Sequence, residues 1–320
     1  MNTTLRRAAA LLALLAAFAA QAQTDKPVKI LVGFPPGGSA DVAARLVGER
    51  MAVELKQPVV VENKPGAGGR IAAELLKNAP ADGSTVMVAP VVVPVLAPMV
   101  FSKLNYDAAT DLVPVAALAN FQFGIVVGAA NPAKNLQELV AFYRAHPTEA
   151  NFGSPAPGSL PHFFGTMLSR GAGVELVHVP FNGGAPLINA LVGGQVTAGI
   201  DVLAEQVEMH KAGKLRVLAT SGGARSPLLP EVPTASEAGF KGVEGSGWFA
   251  VFAPGKTPEA AVRALNAAVN KALADPALRE RFARIGLEPT GGSAADLAAT
   301  IRRDTERWAP VVKASGFRGD

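Results

Sequence analysis

The chain has 320 residues, of which 49% are hydrophobic and 18% charged, and it contains no cysteine. This composition excludes an intrinsically disordered protein, which would carry fewer apolar and more charged residues. The lack of cysteine excludes disulfides, thiolate metal sites, iron–sulfur clusters and cysteine nucleophiles. The formal net charge is +4, but the basic residues are scattered and no basic stripe with interleaved aromatic residues occurs. Nucleic acid is therefore not an expected partner.

The first residues have the pattern of a secretory signal peptide. Arg6 and Arg7 precede an apolar run over residues 8–20, and a small-x-small cleavage pattern ends at Ala22. A buried N-terminal helix is the alternative, but this order of basic, apolar and small residues is typical of secretion. We therefore predict a signal peptide over residues 1–22, cleaved after Ala22, and a periplasmic mature protein.

A second apolar run covers residues 86–101 but does not predict a membrane span. A spanning helix needs about 20 apolar residues, and this run is shorter. It also contains Pro90, Pro94 and Pro98, each of which removes a helical hydrogen bond. We therefore expect the exported protein to have no membrane span.

Short β-rich segments alternate with helical patterns along the chain, which is typical of βαβ units and parallel sheets. The predicted strands cover residues 28–34, 58–62, 85–89, 123–128, 174–179, 196–200, 215–220 and 248–253. The predicted helices cover residues 39–55, 69–77, 136–146, 161–169, 186–192, 257–274 and 294–308. Ser39 and Thr257 are the expected N-caps of two of these helices, because their hydroxyls can accept main-chain hydrogen bonds.

The length of the chain predicts two α/β lobes. A single hydrophobic core stops growing at roughly 250–300 residues, and no long linker separates two halves of the sequence. We expect the chain to cross between the lobes in extended segments near 118–128 and 242–254. The first lobe then comprises residues 23–122 and 254–320, the second comprises residues 123–253, and a cleft lies between them.

Motifs for catalysis are largely missing. The histidines lie far apart in the sequence, and no Gly-x-Ser-x-Gly elbow occurs. Residues 255–257 resemble the end of a phosphate loop, but Ala250 stands where that loop needs its first glycine. Residues 65–69 resemble a dinucleotide fingerprint, but its third glycine is replaced by Ile71. We therefore predict no catalytic residue, no metal and no cofactor.

Three strand-to-helix loops contain glycine and proline and predict an anion site. They cover residues 35–39, 155–159 and 180–185, and two of them pair Gly-Gly with a preceding proline. Each presents free main-chain N–H groups at the positive N-terminus of a helix, which suits a carboxylate or a phosphate. In open α/β sheets such loops gather at the carboxyl ends of strands, where ligands bind. Proline and glycine also punctuate ordinary connections, so one such loop alone does not indicate binding.

The loops and nearby polar residues form the candidate binding site. Ser154, Ser159 and Asp201 can add polar contacts, and Ser39 or Asp41 can order the start of the first helix. For His162 and for Asp201, a structural role explains the sequence position as well as ligand contact does. The remaining histidines are interpreted as surface or packing residues: His146, His178 and His210. The candidate ligand-binding residues are Phe34, Pro36, Gly37, Gly38, Ser39, Asp41, Pro90, Val91, Ser154, Ser159, His162, Phe181, Asn182, Gly183, Gly184, Ala185 and Asp201.

The same loops carry a resemblance to a known family. The matching segments are GFPPGGSAD at 33–41 (followed by Ala44 and Arg45), VVENKPGAGG at 60–69, ADGST at 81–85, NFGS at 151–154, GSLPH at 158–162, VPFNGGAP at 179–186, GGQV at 193–196, KAGKLR at 211–216 and LPEVPT at 229–234. In order and spacing they resemble the Bug/TctC family, the extracytoplasmic solute receptors of tripartite tricarboxylate transporters.

The resemblance implies a type II periplasmic binding protein fold. This α/β fold has two lobes, each a mostly parallel sheet flanked by helices, with two crossover strands as a hinge. It also implies that loops 34–39 and 181–185 hold a ligand carboxylate through main-chain groups and bridging waters. The implied partners are a small organic carboxylate and the membrane permease subunits of a tripartite transporter, and we expect the receptor to be a monomer.

One departure from the family pattern bears on the ligand. Residues 90–95 are apolar where members often carry small polar residues, and Arg70 stands where asparagine is common. The apolar wall favours a monocarboxylate or an aromatic acid over a small, highly polar ligand such as citrate.

Two other functions stay open. One is a sensor that docks on a histidine kinase, and the other is a periplasmic enzyme, against which the lack of a nucleophile–base pair argues.

Overall fold

The computed structural model describes residues 26–319, so the predicted signal peptide and its cleavage site lie outside the described residues. The described chain is an α/β protein with two separate sheets, one of six strands and one of five. Its strands are β1 (Val28–Val32), β2 (Val59–Asn63), β3 (Thr85–Pro90), β4 (Leu112–Phe121), β5 (Phe123–Gly128), β6 (Asn151–Ser154), β7 (Val177–Pro180), β8 (Ala198–Val202), β9 (Leu215–Thr220), β10 (Gly247–Pro254) and β11 (Glu288–Pro289).

Ten α-helices surround the sheets in the part of the chain from residue 26 to residue 319. They are α1 (Ser39–Leu55), α2 (Arg70–Lys77), α3 (Ala97–Val100), α4 (Leu136–Ala145), α5 (Leu160–Ala172), α6 (Gly184–Val192), α7 (Leu203–Lys211), α8 (Glu259–Ala274), α9 (Pro276–Arg284) and α10 (Ala294–Ser315). A π-helical turn over Val92–Leu96 precedes α3.

The first sheet has the strand order β11-β4-β10-β3-β1-β2. Strand β1 pairs in parallel with β2 and β3, whereas β10 pairs antiparallel with β3 and β4. Every residue of β3 and β10 is buried, which is why both strands read as nearly continuous apolar runs. The parallel strands β1 and β3 end at the same edge, and the loops that follow them lie together there.

The second sheet has the strand order β7-β6-β8-β5-β9. Strand β6 pairs in parallel with β7 and β8, and β5 pairs antiparallel with β8 and β9. Strands β6, β7 and β8 each lead into a helix, namely α5, α6 and α7. The N-termini of these three helices therefore lie at the edge of the second sheet where β6, β7 and β8 end.

The chain passes from the first sheet to the second at Gln122, between β4 and β5, and returns between β9 and β10. We call the part of the molecule around each sheet the first lobe and the second lobe. Strand β10 lies wholly in the first sheet, so the return precedes Gly247, whereas the predicted crossing extends to residue 254. The lobe limits at residues 23–122, 123–253 and 254–320 remain predictions.

The C-terminal segment makes a further contact between the lobes. Helix α10 packs on β4 of the first lobe, while Arg170 of α5 donates a hydrogen bond to the carbonyl of Ala314. Beyond the helix, Phe317 packs edge-on against His162 of the second lobe, with 4.4 Å between the ring centroids. The N–H of Gly319 donates to the carbonyl of Val100 in the first lobe at 2.8 Å, so the segment after α10 touches both lobes.

Some predicted details are wrong. The N-caps are Gly38 and Pro258, because Ser39 is already the first residue of α1 and Thr257 lies one residue before its cap. Their hydroxyls donate to the carbonyl of Pro254 (Thr257) and to Glu205 across the cleft (Ser39). The sequence pattern also did not predict most of β4, nor the helices α7 and α9. Strand β4 is rich in alanine and contains a proline, which disfavour a strand locally, but pairing with β10 outweighs that preference.

Candidate functional site

A cavity of about 370 Å³ lies between the two lobes. The first lobe contributes the loop after β1, the end of β3 and part of β10, and the second contributes the starts of α5, α6 and α7. The cavity is lined by Phe34, Pro35, Pro36, Gly37, Gly38, Ser39, Ala40, Pro90, Val91, Val92, Phe121, Phe123, Pro155, Ala156, Ser159, Leu160, Pro161, Gly183, Gly184, Ala185, Ile188, Asp201, Val202, Glu205 and Phe249.

The first double-glycine turn, at Gly37 and Gly38, is held from behind by Asp41. Gly37 has a φ of +83°, a backbone conformation that favours glycine. Its N–H donates to Asp41 Oδ2 at 2.9 Å, and Arg45 Nε and Asn63 Nδ2 donate to the same carboxylate at 3.0 and 2.9 Å. Burial favours the neutral carboxyl, but these three hydrogen bonds outweigh it and lower the pKa of Asp41. Asp41 is thus an ionised support of the turn and does not line the cavity.

The second double-glycine turn, at Gly183 and Gly184, faces the first across the cleft. Gly183 has a φ of +106°, and its N–H donates to the carbonyl of Pro155 at 3.0 Å. A Cβ built on Gly183 would lie 2.9 Å from Cδ of Pro35, closer than real Cβ atoms approach. The second turn therefore contacts the loop of the first turn at Pro35, and glycine at position 183 permits that approach.

A pair of stacked histidines supports the third loop, residues 155–159. The rings of His162 and His178 lie 3.9 Å apart between centroids and nearly parallel. The N–H of Gly158 donates to His162 Nδ1 at 3.0 Å, and Ser154 Oγ lies 2.8 Å from His178 Nε2. Burial lowers the pKa of His162 to about 4, and burial together with the neighbouring His162 lowers the pKa of His178 to about 3. Both rings are neutral at pH 7, and neither lines the cavity.

Two acidic side chains of the second lobe line the cavity beside the glycine turns. Glu205 Oε1 accepts hydrogen bonds from the main-chain N–H and the hydroxyl of Ser39, both at 2.8 Å. Asp201 is 2% exposed; its Oδ1 accepts from the N–H of Val202 at 2.7 Å, and its Oδ2 has no hydrogen-bond partner in the described chain. A Cβ on Gly184 would collide with Glu205 Oε2 and Asp201 Oδ2, so the two carboxyl groups lie side by side.

The pKa values of both carboxyl groups are raised. Burial is the main cause for each, and the proximity of Glu205 adds to the shift for Asp201. For Glu205, the hydrogen bonds from Ser39 act in the opposite direction but do not cancel the effect of burial. Two carboxylates so close together cannot both ionise without cost, so the pair retains a proton to higher pH than either group would alone.

Aromatic and aliphatic side chains form the rest of the wall. Phe121 packs on Phe249 at 4.4 Å and on Phe123 at 5.3 Å between ring centroids. These three rings come from β4, β5 and β10, next to the crossing at Gln122. The apolar character predicted for residues 90–95 is present at this wall through Pro90 and its neighbours.

The structure brings most of the predicted site residues together. Those that line the cavity are Phe34, Pro36, Gly37, Gly38, Ser39, Pro90, Val91, Ser159, Gly183, Gly184, Ala185 and Asp201. Those placed outside its lining are Asp41, Ser154, His162, Phe181 and Asn182. Ser154 is fully buried, and Phe181 packs against the core of the second lobe. Ligand contact at any of these positions remains a prediction.

Sequence reasoning missed Glu205 and the three phenylalanines. Glu205 follows Asp201 by four residues, and an acidic pair at the end of a strand is the signal that could have indicated it. Within the described residues, no group of three or more histidine, aspartate or glutamate side chains could hold a metal ion.

A cavity between two α/β lobes, faced by helix N-termini and crossed by the chain at its rim, defines a solute-binding protein of the type II periplasmic class. The chain belongs to the TctC family, whose model is described as the tripartite tricarboxylate transporter family receptor and matches residues 43–317. The predicted family and fold class are therefore confirmed.

Curated relatives and solved structures cover nearly the whole chain. It is 37% identical over 302 residues to a UPF0065 protein of Bordetella bronchiseptica, and the match covers 94% of this chain and 89% of that one. It is 33% identical over 294 residues to BugT of Bordetella pertussis, with 92% and 90% covered. An adipate-bound protein of R. palustris superposes with a TM-score of 0.88 at 33% identity, covering 91% and 98%. Malate-bound MatC of Rhodopseudomonas palustris gives 0.84 at 34%, covering 89% and 98%.

Proposed function

We propose that this chain is a periplasmic receptor that captures a small organic carboxylate between its lobes and delivers it to a membrane permease of the tripartite type. The observation that carries the proposal is the contact of Gly183 with Pro35, which brings the two glycine loops together beside a largely apolar cavity. Relatives whose solved structures contain malate and adipate support the carboxylate class.

The donors for the ligand carboxylate are main-chain N–H groups. Those of Ala40, at the start of α1, and of Gly184 and Ala185, at the start of α6, donate to no acceptor in the described chain. Helix N-termini carry a partial positive charge, so these amides favour an anion without any basic side chain. No lysine, arginine or histidine is among the described residues that line the cavity.

Capture proceeds by closure of the lobes on the ligand. Each lobe supplies part of the donor set, so a carboxylate that contacts both lobes stabilises the closed state more than the open one. That difference in affinity is what shifts the population towards closure. The phenylalanine wall then excludes water from the apolar part of the ligand, which favours a monocarboxylate or aromatic acid body over a polar one.

A thermal-shift panel of carboxylates, each paired with its methyl ester, tests the proposal. A ligand at about 100 times its dissociation constant adds roughly 2.7 kcal/mol to the unfolding free energy, which is easily measured. We expect at least one acid to stabilise the protein while its ester does not, because the ester lacks the charge. Equal stabilisation by acid and ester, or no stabilisation by any carboxylate, contradicts the proposal.

A further inference from the structure

The acidic pair Asp201 and Glu205 stands in a cavity that is otherwise suited to an anion. Glu205 Oε1 already accepts the N–H of Ser39 at 2.8 Å, so the first N–H of α1 is occupied by the protein's own carboxyl group. Among the described residues that line the cavity, these two are the only ones with titratable side chains. The nearest basic group behind the first turn, Arg45, is bound to Asp41. A cation from the protein therefore does not neutralise the pair.

One oxygen of the pair lacks a partner. Asp201 is 2% exposed, and its Oδ2 is buried without a hydrogen bond in the described chain. A buried carboxylate oxygen without a donor costs free energy, and a charged one costs more. Glu205 Oε2 lies beside it, at the position where a Cβ on Gly184 would stand. The two oxygens thus border the cavity together and form an acceptor site for a donor that enters with the ligand.

We propose that the ligand carries a primary ammonium group that binds between Asp201 and Glu205, and that the receptor therefore selects amino carboxylates over simple carboxylates. This inference rests on the proposed function, because it adds a second recognition group to the same cavity. The ammonium supplies the donor that Asp201 Oδ2 lacks and neutralises the repulsion between the two carboxyl groups. The carboxylate of the same ligand binds the free N–H groups of Ala40, Gly184 and Ala185, so it contacts both lobes.

The acidic pair also acts against other ligands. A dicarboxylate would place a second negative charge near two carboxyl groups in a largely apolar cavity, where like charges repel strongly. A hydroxyl could donate one hydrogen bond to Asp201 but would not neutralise the pair. The geometry therefore distinguishes an ammonium from a methyl, a hydroxyl or a carboxylate at the same position of an otherwise identical molecule.

Calorimetry with two matched ligand series tests this inference. The first series is heptanoate, 6-aminohexanoate, 6-hydroxyhexanoate and heptanedioate, which differ only in the group on the sixth carbon, and the second is 3-phenylpropanoate with its 2-amino and 2-hydroxy derivatives. We expect the amino member of at least one series to bind about tenfold tighter, or more, than every other member of that series. In Glu205→Gln this preference should disappear, because the amide keeps the contact to Ser39 but removes the charge.

Glu208→Gln is the matched control, because Glu208 lies on the same helix, α7, and its side chain is 88% exposed. It should keep the preference for the amino compound. If carboxylates bind but the amino members bind no tighter, or if the preference survives in Glu205→Gln, the inference is wrong while the proposed function stands. If no carboxylate in the thermal-shift panel or in either series binds, the proposed function fails and this inference fails with it.

Discussion

Glu205 reaches from the second lobe to Ser39 of the first and accepts two hydrogen bonds from it, each 2.8 Å long. The contact joins the N-terminus of α1 to the start of α7 across the cleft, so it must break when the lobes separate. An acidic side chain thus occupies a main-chain donor of the kind that the glycine turns were expected to offer to a ligand. The ionisation of Glu205 therefore bears on both the stability of the chain and the closure of the cleft.

Glu205→Gln should stabilise the ligand-free protein at neutral pH. The native chain ionises Glu205 only above the usual value of 4.5, so the native state holds an extra proton and the unfolding free energy falls as pH rises beyond about 4.5. The glutamine variant avoids this loss, so we expect it to be more stable than the wild type at pH 7. Denaturant unfolding from about pH 4 to pH 8 measures the difference. Parallel stability profiles of the two proteins would show that Glu205 is ionised without cost.

Gly183→Ala should weaken ligand binding by about tenfold or more while the protein stays folded. The added Cβ would lie 2.9 Å from Cδ of Pro35, so the two glycine turns cannot meet in the closed state. Gly173→Ala is the control: Gly173 has a φ of +61° with open space around its Cβ position, and it does not line the cavity. Gly183 also has a ψ of 173°, a conformation that alanine adopts less readily than the left-handed helical one of Gly173, so Gly183→Ala should lose more stability and affinity is compared on the folded proteins by calorimetry. A similar loss of affinity in both would contradict the role of the turn contact.

Asp41→Asn should reduce affinity several-fold although Asp41 does not line the cavity. The carboxylate orders Gly37 through the hydrogen bond of 2.9 Å, and the amide replaces one of its acceptor oxygens with a donor. Asp82→Asn is the control, because hydrogen bonds from Ser84 lower the pKa of Asp82 to about 2 in an exposed turn remote from the cavity. Both substitutions should cost about 1 kcal/mol of stability. Only Asp41→Asn should change the dissociation constant for a carboxylate. An unchanged constant in this variant would contradict the role of Asp41 in ordering the turn at Gly37.

His178→Phe should flatten the acid limb of the stability profile. His178 and His162 stay neutral in the native state down to about pH 3 and pH 4, whereas unfolded histidine binds a proton below about 6.5. Stability should therefore fall as pH drops from about 6.5 towards 4, by up to about 1.4 kcal/mol per pH unit for each ring. The phenylalanine keeps a stacking ring but removes one titrating group. Ser154→Ala removes the same hydrogen bond but leaves both histidines in place, so its stability should fall with pH as steeply as that of the wild type. Equal slopes of stability against pH in all three proteins would contradict the prediction.

The glycine turns could be predicted because their signal is local. A strand, a proline and two glycines before a helix follow one another in the sequence, so the pattern at residues 35–39 and 180–185 already indicates main-chain donors. The contact of Glu205 with Ser39 could not be found in this way, because 166 residues separate the two in sequence and only the packing of the lobes joins them. Phe121 and Phe249 belong to the same class: their side chains meet through strand pairing.

His162 is a candidate ligand-binding residue that lies outside the cavity lining. The pattern placed it at the start of a helix beside a glycine loop, which is where a ligand contact is expected. In the structure, its Nδ1 accepts the N–H of Gly158, and the ring packs between His178 and Phe317. A sequence gives the position of a side chain along the helix, but the choice between a ring that faces the cleft and one that faces inward depends on tertiary neighbours.

The C-terminal segment that carries Phe317 has a mechanical consequence. Two chain crossings alone would let the lobes both bend and twist about the hinge. The contacts of Trp308, Ala314 and Phe317 with α5 form a third attachment, which should restrict the twist of one lobe against the other. Removal of residues 316–320 takes away the Phe317 contact but leaves those of Ala314 and Trp308, so it should loosen the lobes only in part.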